Sequence, residues 1–174
     1  MLEFIRAIPW RAIMREMTIV VIVVGFMNIV LPRSVVQGRS MEPSLESGNR
    51  LAGSPIPYWF GQPQHGDVVM LHPVEEDGDY LVKRIIGVPG DLIRITDGRV
   101  FINGTPIDES YINEPCFSCR NMSLLLGESE YYVMGDNRNH SYDSRNYGAI
   151  TEDKIMAKVI FRWWPLTDLS LFQR

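Results

Sequence analysis

Ser40 stands beside a methionine after an apolar N-terminal segment, in the stretch GRSMEPSL that covers residues 38–45. A serine hydroxyl is a weak nucleophile unless a base lies within hydrogen-bonding distance of it. If Ser40 is to attack a carbonyl carbon, the rest of the chain has to supply that base. The sequence offers three histidines and a lysine within an apolar strand.

Lys83 is the base that the sequence favours. It lies in YLVKRIIGVPGD, with Leu81 and Ile85 on the same face of a predicted strand, because side chains alternate with a period of two. Burial among apolar side chains disfavours the charged amine and lowers its pKa from about 10.4. Only the neutral amine can accept the serine proton, so this environment suits a general base. A lysine on a sheet edge is the structural alternative.

The histidines are weaker candidates. His65 and His72 flank the apolar segment DVVML in turn-like sequences, which is typical of surface residues. His140 lies close to Asp143, so a Ser40–His140–Asp143 triad is an alternative. A base and its orienting acid rarely aim correctly from neighbouring positions of one loop, and a triad is defined by geometry.

The segment GDNRNHSYDSRNYG, residues 135–148, is dense in hydrogen-bonding groups. Its Asp143 and Arg145 are candidates for a charge-assisted pair, and Ser141 can donate to a neighbouring amine. A solvated loop would explain these residue types but not their order along the chain.

The apolar segment MTIVVIVVGFMNIVL, residues 17–31, carries no charge. Extended to Val36, it reaches about 30 Å as a helix, the thickness of a bilayer core. Its β-branched residues on every face do not make an amphipathic core helix, and LPRSVVQG is a poor cleavage site for a secretory signal. We therefore predict an uncleaved transmembrane anchor over residues 17–36, between a short segment over 1–16 and a β-rich domain over 37–174.

The charges that flank this segment predict its orientation. Arg6, Arg11 and Arg15 precede it, and Arg33 and Arg39 are the nearest basic residues after it. The positive-inside rule favours a cytoplasmic N-terminus. The domain over residues 37–174 is therefore predicted to be extracytoplasmic, on a single-pass protein of the cell membrane.

The remaining sequence predicts short strands separated by turn signals, hence a mainly β domain. Asp97-Gly98 and Asn103-Gly104 predict two successive hairpins, and Thr151 is expected to cap one turn of helix over residues 151–155. The predicted strands cover residues 67–71, 80–86, 92–95, 100–102, 131–134 and 158–164.

Two further features leave alternatives open. Cys116-Phe-Ser-Cys119 is loop-like in context, which favours a structural disulfide or free thiols over a redox pair. The segment SPIPYWFGQPQ, residues 54–64, contains prolines that prevent regular pairing; its aromatic residues 58–60 either cover the core or enter a lipid interface. The formal net charge of −4 gives no reason to expect nucleic acid as a partner.

The segments SMEPSL, GDVV, LVKRIIGVPGD and GDNRNHSYDSR follow the apolar span in this order. Together they resemble type I signal peptidase over nearly the whole chain, as far as FRWWP. The resemblance implies that Ser40 is the nucleophile and Lys83 the general base of a Ser-Lys dyad. It also implies an antiparallel β-sheet catalytic core of the signal peptidase I type, with one N-terminal transmembrane helix.

Further roles follow from the same resemblance. Ser141 is expected to hydrogen-bond the lysine, and Asp143 and Arg145 to form an ion pair that supports the site. The pockets for small substrate residues are expected to be lined by Met41, Leu45 and Val82.

The function implied is that of a membrane-bound serine endopeptidase. It would remove signal peptides from exported preproteins after small residues at −1 and −3, in contact with membrane lipid and without a metal or cofactor. Some members of the family have a serine two residues before the nucleophile that helps to bind the oxyanion, and here that position is Gly38. The backbone N–H of Ser40 then has to serve, helped by a water or another amide, because losing one donor can cost roughly 3 kcal/mol.

Two other classes of protein are alternatives. A self-cleaving repressor of the LexA kind also carries an SM-x-P box and a downstream lysine, but it should begin with a DNA-binding helical domain where this chain has an apolar span. A non-catalytic, membrane-anchored β module would leave the contexts of Ser40 and Lys83 unexplained.

Overall fold

The computed structural model describes residues 10–74, 79–117 and 119–172. Its helices are α1 (Trp10–Val30), α2 (Ile56–Trp59) and α3 (Ser144–Tyr147), and short 3-10 helices cover Glu152–Lys154 and Leu166–Asp168. The strands in these ranges are β1 (Arg33–Val35), β2 (Arg50–Ser54), β3 (Val68–Leu71), β4 (Leu81–Gly87), β5 (Leu92–Thr96), β6 (Arg99–Ile102), β7 (Thr105–Pro106), β8 (Met122–Leu125), β9 (Glu130–Met134), β10 (Ile150–Thr151), β11 (Ile155–Trp164) and β12 (Ser170–Leu171).

The described strands form two antiparallel sheets, which confirms the mainly β fold class. The larger sheet has the order β1-β2-β11-β3-β4-β9-β10, with β12 also paired to β11. The smaller has the order β7-β6-β5-β8. The long strand β11 joins two parts of the larger sheet, because one end pairs with β3 and the other with β2.

A cluster of buried apolar residues joins the segment after β1 to strands β2, β3 and β11. Burying a side chain such as Leu or Met stabilises the fold by about 1.5–3 kcal/mol each, so this cluster anchors the segment that follows β1. Its members are Val36, Met41, Leu45, Leu51, Val68, Met70 and Val159.

Helix α1 differs from the predicted span at both ends. It begins at Trp10 and ends at Val30, and its 21 residues reach about 31 Å. The predicted limit at Val36 is wrong, because Pro32 has no N–H with which to continue a helix and residues 33–35 pair with β2 as β1. Residues 1–9, including the predicted cytoplasmic Arg6, lie outside the described residues.

Helix α1 is long and apolar enough to cross a membrane, and of its residues Val30 alone is buried. A helix that belonged to the core would bury one face against the sheets. The core-helix alternative is therefore wrong for this segment.

The six predicted strands are present, with ends that differ by one to three residues. Both predicted hairpins form, with positive φ values of 49° at Asp97 and 53° at Asn103. The turn of helix near residue 152 is a 3-10 helix, and Thr151 forms no side-chain cap hydrogen bond, so the predicted cap is wrong. Thr151 instead pairs with Glu130 at the sheet edge, in an extended conformation.

The structure shows the state of the cysteines and the burial of the aromatic loop. Cys116 and Cys119 form a disulfide. In the aromatic loop, Tyr58 packs against a buried cluster and its hydroxyl donates to Asp67, whereas Trp59 and Phe60 are 54% and 88% exposed. Only Tyr58 covers the core.

Candidate active site

Ser40 lies in a tight turn that the core holds in place. The residue next to it, Met41, is buried in the cluster beneath β1, and the N–H of Leu45 donates to the carbonyl of Met41 at 2.8 Å. Leu45 is also fully buried. The two buried side chains therefore fix the backbone from which the Ser40 hydroxyl projects.

The end of β9 packs against the same turn. The N–H of Asn137 donates to the carbonyl of Ser40 at 3.0 Å. Gly135 passes so close that an added Cβ would collide with the Ser40 carbonyl oxygen and with the Ser141 side chain. A side chain at position 135 would therefore separate the Ser40 turn from the loop that follows β9.

Lys83 is the group that contacts the serine hydroxyl. Its Nζ lies 2.8 Å from Ser40 Oγ, and its side chain is buried, with 3% of the residue exposed. Burial lowers the pKa of Lys83 from its ordinary value; the Asp143 charge opposes this shift, Arg145 adds to it, and Asp136 opposes it weakly. The neutral amine at this distance can accept the serine proton.

The neighbouring Arg84 shows how the strand accommodates two adjacent cations. Its guanidinium forms two hydrogen bonds to the buried Asp136 carboxylate, at 2.8 and 2.6 Å, and lies 4.1 Å from the centre of the Tyr111 ring. The Arg84 charge is therefore satisfied by Asp136 and Tyr111, and because successive side chains of a strand point to opposite faces, Lys83 takes no part in this ion pair.

Asp143 and Arg145 form the predicted ion pair. Arg145 Nε and Nη2 donate to the two carboxylate oxygens at 2.8 and 2.7 Å, and the Gly135 N–H adds a third hydrogen bond to Asp143 at 2.9 Å. Asp143 also caps the N-terminus of α3. Burial raises the pKa of Asp143, but the hydrogen bonds and charge of Arg145 and the Gly135 N–H outweigh it, so the pKa lies below its ordinary value.

Ser141 departs from its expected contact. Its hydroxyl is buried, and no described residue is in position to form a well-aligned hydrogen bond with it. It lies near enough to Asp143 to help lower the pKa of that carboxyl. The expected hydrogen bond between Ser141 and Lys83 is therefore not formed in this structure.

The backbone N–H of Ser40 is available for a ligand. No described residue accepts a hydrogen bond from it, whereas the Ser40 carbonyl is bound by Asn137. A free N–H on the nucleophile itself is the donor expected for an oxyanion.

An open groove of about 460 Å³ leads to Ser40 and Lys83. It runs between residues 33–37 and 79–83, and Met41 and Val82 line it as expected. Leu45 does not line the groove, because it is buried in the core behind Met41. The groove residues Val35, Gln37 and Tyr80 are not predicted from the sequence, where their one signal is closeness to Ser40 and Lys83 along the chain.

The groove leaves one strand edge free. Strand β9 pairs with β4 only from Arg84 onward, so among the described residues the edge of 81–83 on this side carries no strand. An unpaired edge is a template for an added peptide strand.

The histidine triad is not formed. The side chain of His140 is exposed, and the Asp143 carboxylate that would orient it is held by Arg145 and Gly135. His65 contacts Asp91 at 2.6 Å, and the His72 ring packs near Tyr80. Within the described ranges, no group of three or more His, Cys, Asp or Glu residues could hold a metal ion.

Comparison with known proteins gives consistent matches. The family described as "Signal peptidase, peptidase S26" matches residues 10–164. A signal peptidase I of Leptolyngbya laminosa is 35% identical over an alignment of 158 residues, and the match covers 87% of this chain and 77% of that protein. A signal peptidase IB of Staphylococcus aureus is 37% identical over an alignment of 159 residues, and the match covers 82% of each chain.

A solved structure of a signal peptidase I from Enterococcus faecalis also matches. It is 28% identical, with a TM-score of 0.49, and the match covers 56% of this chain and 97% of that chain. A TM-score of 0.49 is too low to support the fold class, which rests on the strand pairing in this chain.

Proposed function

The chain belongs to the signal peptidase family, peptidase S26, and on this premise we propose that Ser40 is its nucleophile and Lys83 its general base. The activity of the family is the removal of signal peptides from preproteins, which are therefore the substrates of this enzyme. The observation that carries the residue assignment is the 2.8 Å contact between Ser40 Oγ and a buried Lys83 Nζ.

The reaction proceeds in two steps with one base. Neutral Lys83 takes the hydroxyl proton as Ser40 Oγ attacks the scissile carbonyl carbon, and the Ser40 N–H stabilises the oxyanion. The ammonium then gives its proton to the departing amine of the mature protein. Water, deprotonated by the same neutral lysine, attacks the ester carbon; the bond to Ser40 Oγ breaks, the lysine ammonium returns its proton to Ser40 Oγ, and the signal peptide leaves with a new carboxyl terminus.

The remaining site residues support this dyad. The Asp143–Arg145 pair, tied to the end of β9 through Gly135, holds the loop of residues 135–148 against Ser40 and Lys83. Ser141, with its buried hydroxyl, becomes a partner for the lysine ammonium that forms during acylation. Both roles are electrostatic, because neither group lies on the groove floor where the substrate would bind.

Substrate binds in the groove as an extended strand along the free edge of residues 81–83. Alternate residues of a strand point to one face, so the −1 and −3 side chains are directed together toward Met41 and Val82. The space left by these side chains suits small residues, and Leu45 supports the pocket from behind.

The membrane is the second partner. Helix α1 serves as the anchor with a cytoplasmic N-terminus, which places the sheets and the active site on the extracytoplasmic side of the cell membrane. The net charge of −4 supplies no basic face for nucleic acid, and none is proposed as a partner. The self-cleaving and non-catalytic alternatives have no support, since the relatives over most of the chain are signal peptidases.

The test is cleavage of a preprotein with an Ala-x-Ala site by the full chain in detergent. Ser40→Ala and Lys83→Ala should each lower kcat/KM by at least about 10³-fold, because removing one member of such a unit loses the function of the whole. His140→Ala should cleave like the wild type. Retained activity in Lys83→Ala, with folding verified by thermal unfolding, would show that the base is another group.

A further inference from the structure

The Arg145 guanidinium is held from two sides. One side carries the bidentate pair with the Asp143 carboxylate. On the other side, Nη1 lies 3.2 Å from the sulfur of Cys119 and 3.4 Å from that of Cys116, and it donates to the Arg138 carbonyl at 2.6 Å. The guanidinium therefore bridges the disulfide and the Asp143 carboxylate, whose charge raises the pKa of Lys83.

The disulfide turn is itself fixed to the active-site loop. The Phe117 N–H donates to Asn139 Oδ1 at 2.9 Å, and Asn139 Nδ2 donates to the carbonyl of Pro115 at 3.2 Å. On the far side, an added Cβ at Gly98 would collide with the Cys116 carbonyl. The turn is thus enclosed between the β5–β6 hairpin and the loop of residues 135–148, so the two sulfurs meet Arg145 at a defined position.

The position of Arg145 matters because of the charges that act on Lys83. These are Asp143, Arg145 and Asp136; the two acids raise the pKa of Lys83 and Arg145 lowers it. A guanidinium that moves away from Asp143 leaves that negative charge uncompensated. The pKa of Lys83 then rises, and less of the amine is neutral at a given pH.

We propose that the Cys116–Cys119 disulfide is a positioning element of the catalytic centre, which holds Arg145 on Asp143 and so completes the charge pair behind Lys83. The cysteines touch neither the substrate nor the dyad and act through Arg145. This inference rests on the proposed roles of Ser40 and Lys83.

The experiment measures kcat and KM against pH for the full chain in detergent, with an Ala-x-Ala preprotein. In C116S/C119S, the acidic limb of kcat/KM should move to higher pH, and kcat at neutral pH should fall about tenfold, within what a small misplacement costs. KM should change little, because neither cysteine lines the groove. Phe117→Ala, in the same turn and 75% exposed, is the matched control and should behave like the wild type.

Reduction of the wild type gives a second route to the same comparison if the double variant does not fold. The chain has two cysteines, so dithiothreitol opens one bond: two electrons and two protons pass to the sulfurs, giving two thiols and a cyclic disulfide of the reagent. The acidic limb should shift as in the variant and return on reoxidation. An acidic limb that stays at the wild-type pH in C116S/C119S, or in the reduced enzyme, would overturn the inference.

A double-mutant comparison tests the route through Arg145. In an Arg145→Ala background the acidic limb should already be shifted, and loss of the disulfide should add nothing further. Shifts that add would contradict this route. Ser40→Ala distinguishes failure of the proposed function from failure of the disulfide inference. Cleavage by Ser40→Ala would overturn the proposed function. If Ser40→Ala is inactive and the acidic limb of C116S/C119S stays at the wild-type pH, only the disulfide inference is overturned.

Discussion

At the scale of residues, burial of Lys83 is expected to lower the free energy of unfolding. Burial lowers the pKa of Lys83 in the folded protein below the value near 10.4 of the unfolded chain, so the folded protein binds this proton more weakly than the unfolded one. Wild-type stability should therefore rise with pH between the lowered pKa and about 10.4. Lys83→Met removes this cost and is expected to stabilise the inactive protein by about 1 kcal/mol at neutral pH.

Urea unfolding of the two proteins between pH 6 and 11 measures this effect. The stability advantage of Lys83→Met should be largest at the acidic end and should vanish above about pH 10.4, where both states of the wild type are neutral. A variant that is less stable at pH 7, or an advantage that does not change with pH, would contradict a neutral buried lysine.

Asp143 and Arg145 are expected to shift the pKa of Lys83 in opposite directions. The Asp143 charge raises the pKa of Lys83, so Asp143→Asn should move the acidic limb of kcat/KM to lower pH, while Arg145→Ala moves it to higher pH. Loss of the ion pair should also lower the Tm, since an unpaired buried charge is left behind. The exposed Asp153→Asn is the control. Shifts in the same direction for both site variants would mean that disorder, and not charge, explains them.

At the scale of elements, the end of β9 is where backbone packing positions the site. Gly135→Ala introduces a Cβ that meets the Ser40 carbonyl oxygen and the Ser141 side chain. We expect kcat to fall about 10²-fold, because the nucleophile is displaced from Lys83, and we expect a lower Tm.

Gly127→Ala, three residues before the other end of β9, is the matched control. There a Cβ meets the flexible end of the Glu130 side chain at 3.3 Å, where a shift of a few tenths of an ångström is enough and leaves the Gly127 N–H within reach of the carboxylate. Cleavage rate and thermal unfolding should both be near those of the wild type. Equal losses in the two variants would show that a side chain is disruptive at either glycine flanking β9, and that position 135 has no special relation to Ser40.

The sequence predicts the elements that have a local residue pattern, such as a strand or a hairpin turn. It does not predict the strands that are defined only by pairing with a distant strand. Strands β3 and β4 are rich in β-branched residues and were predicted together with Lys83, and the hairpins followed from Asp-Gly and Asn-Gly. Pro32 is a local signal for the end of the helix, but the three residues of β1 carry no strand pattern, and only their pairing with β2 identifies them as a strand. Long-range contacts of this kind have no local signal.

The same distinction explains the outcome at the site. Ser40 and Lys83 each lie in a sequence context that suits a nucleophile or a base, and their side chains are in contact in the structure. The resemblance predicts Leu45 in the substrate pocket, but its burial depends on how the turn after Met41 folds back onto the core. The contact between the disulfide and Arg145 joins residues 26 and 29 positions apart, and no spacing rule predicts it.

At the scale of the whole molecule, the exit of the anchor and the aromatic loop lie close together. The carbonyl of Pro32, just after α1, accepts a hydrogen bond from the Gly53 N–H at 2.8 Å, and α2 begins three residues later at Ile56. Trp59 and Phe60 are thus exposed near the point where the chain leaves the anchor. Exposed aromatic residues at that level are typical of a membrane interface.

We therefore expect Trp59 and Phe60 to hold the active site at the membrane surface. In vesicles, W59S/F60S should raise KM for a membrane-embedded preprotein by about 3–10-fold, because a poorly docked site has a lower effective concentration of substrate. KM for a short soluble peptide should be unchanged. Leu125→Ser, on the smaller sheet and 65% exposed, is the control. If both substrates lose equally, the loop supports the fold; if neither changes, the anchor alone sets the distance to the membrane.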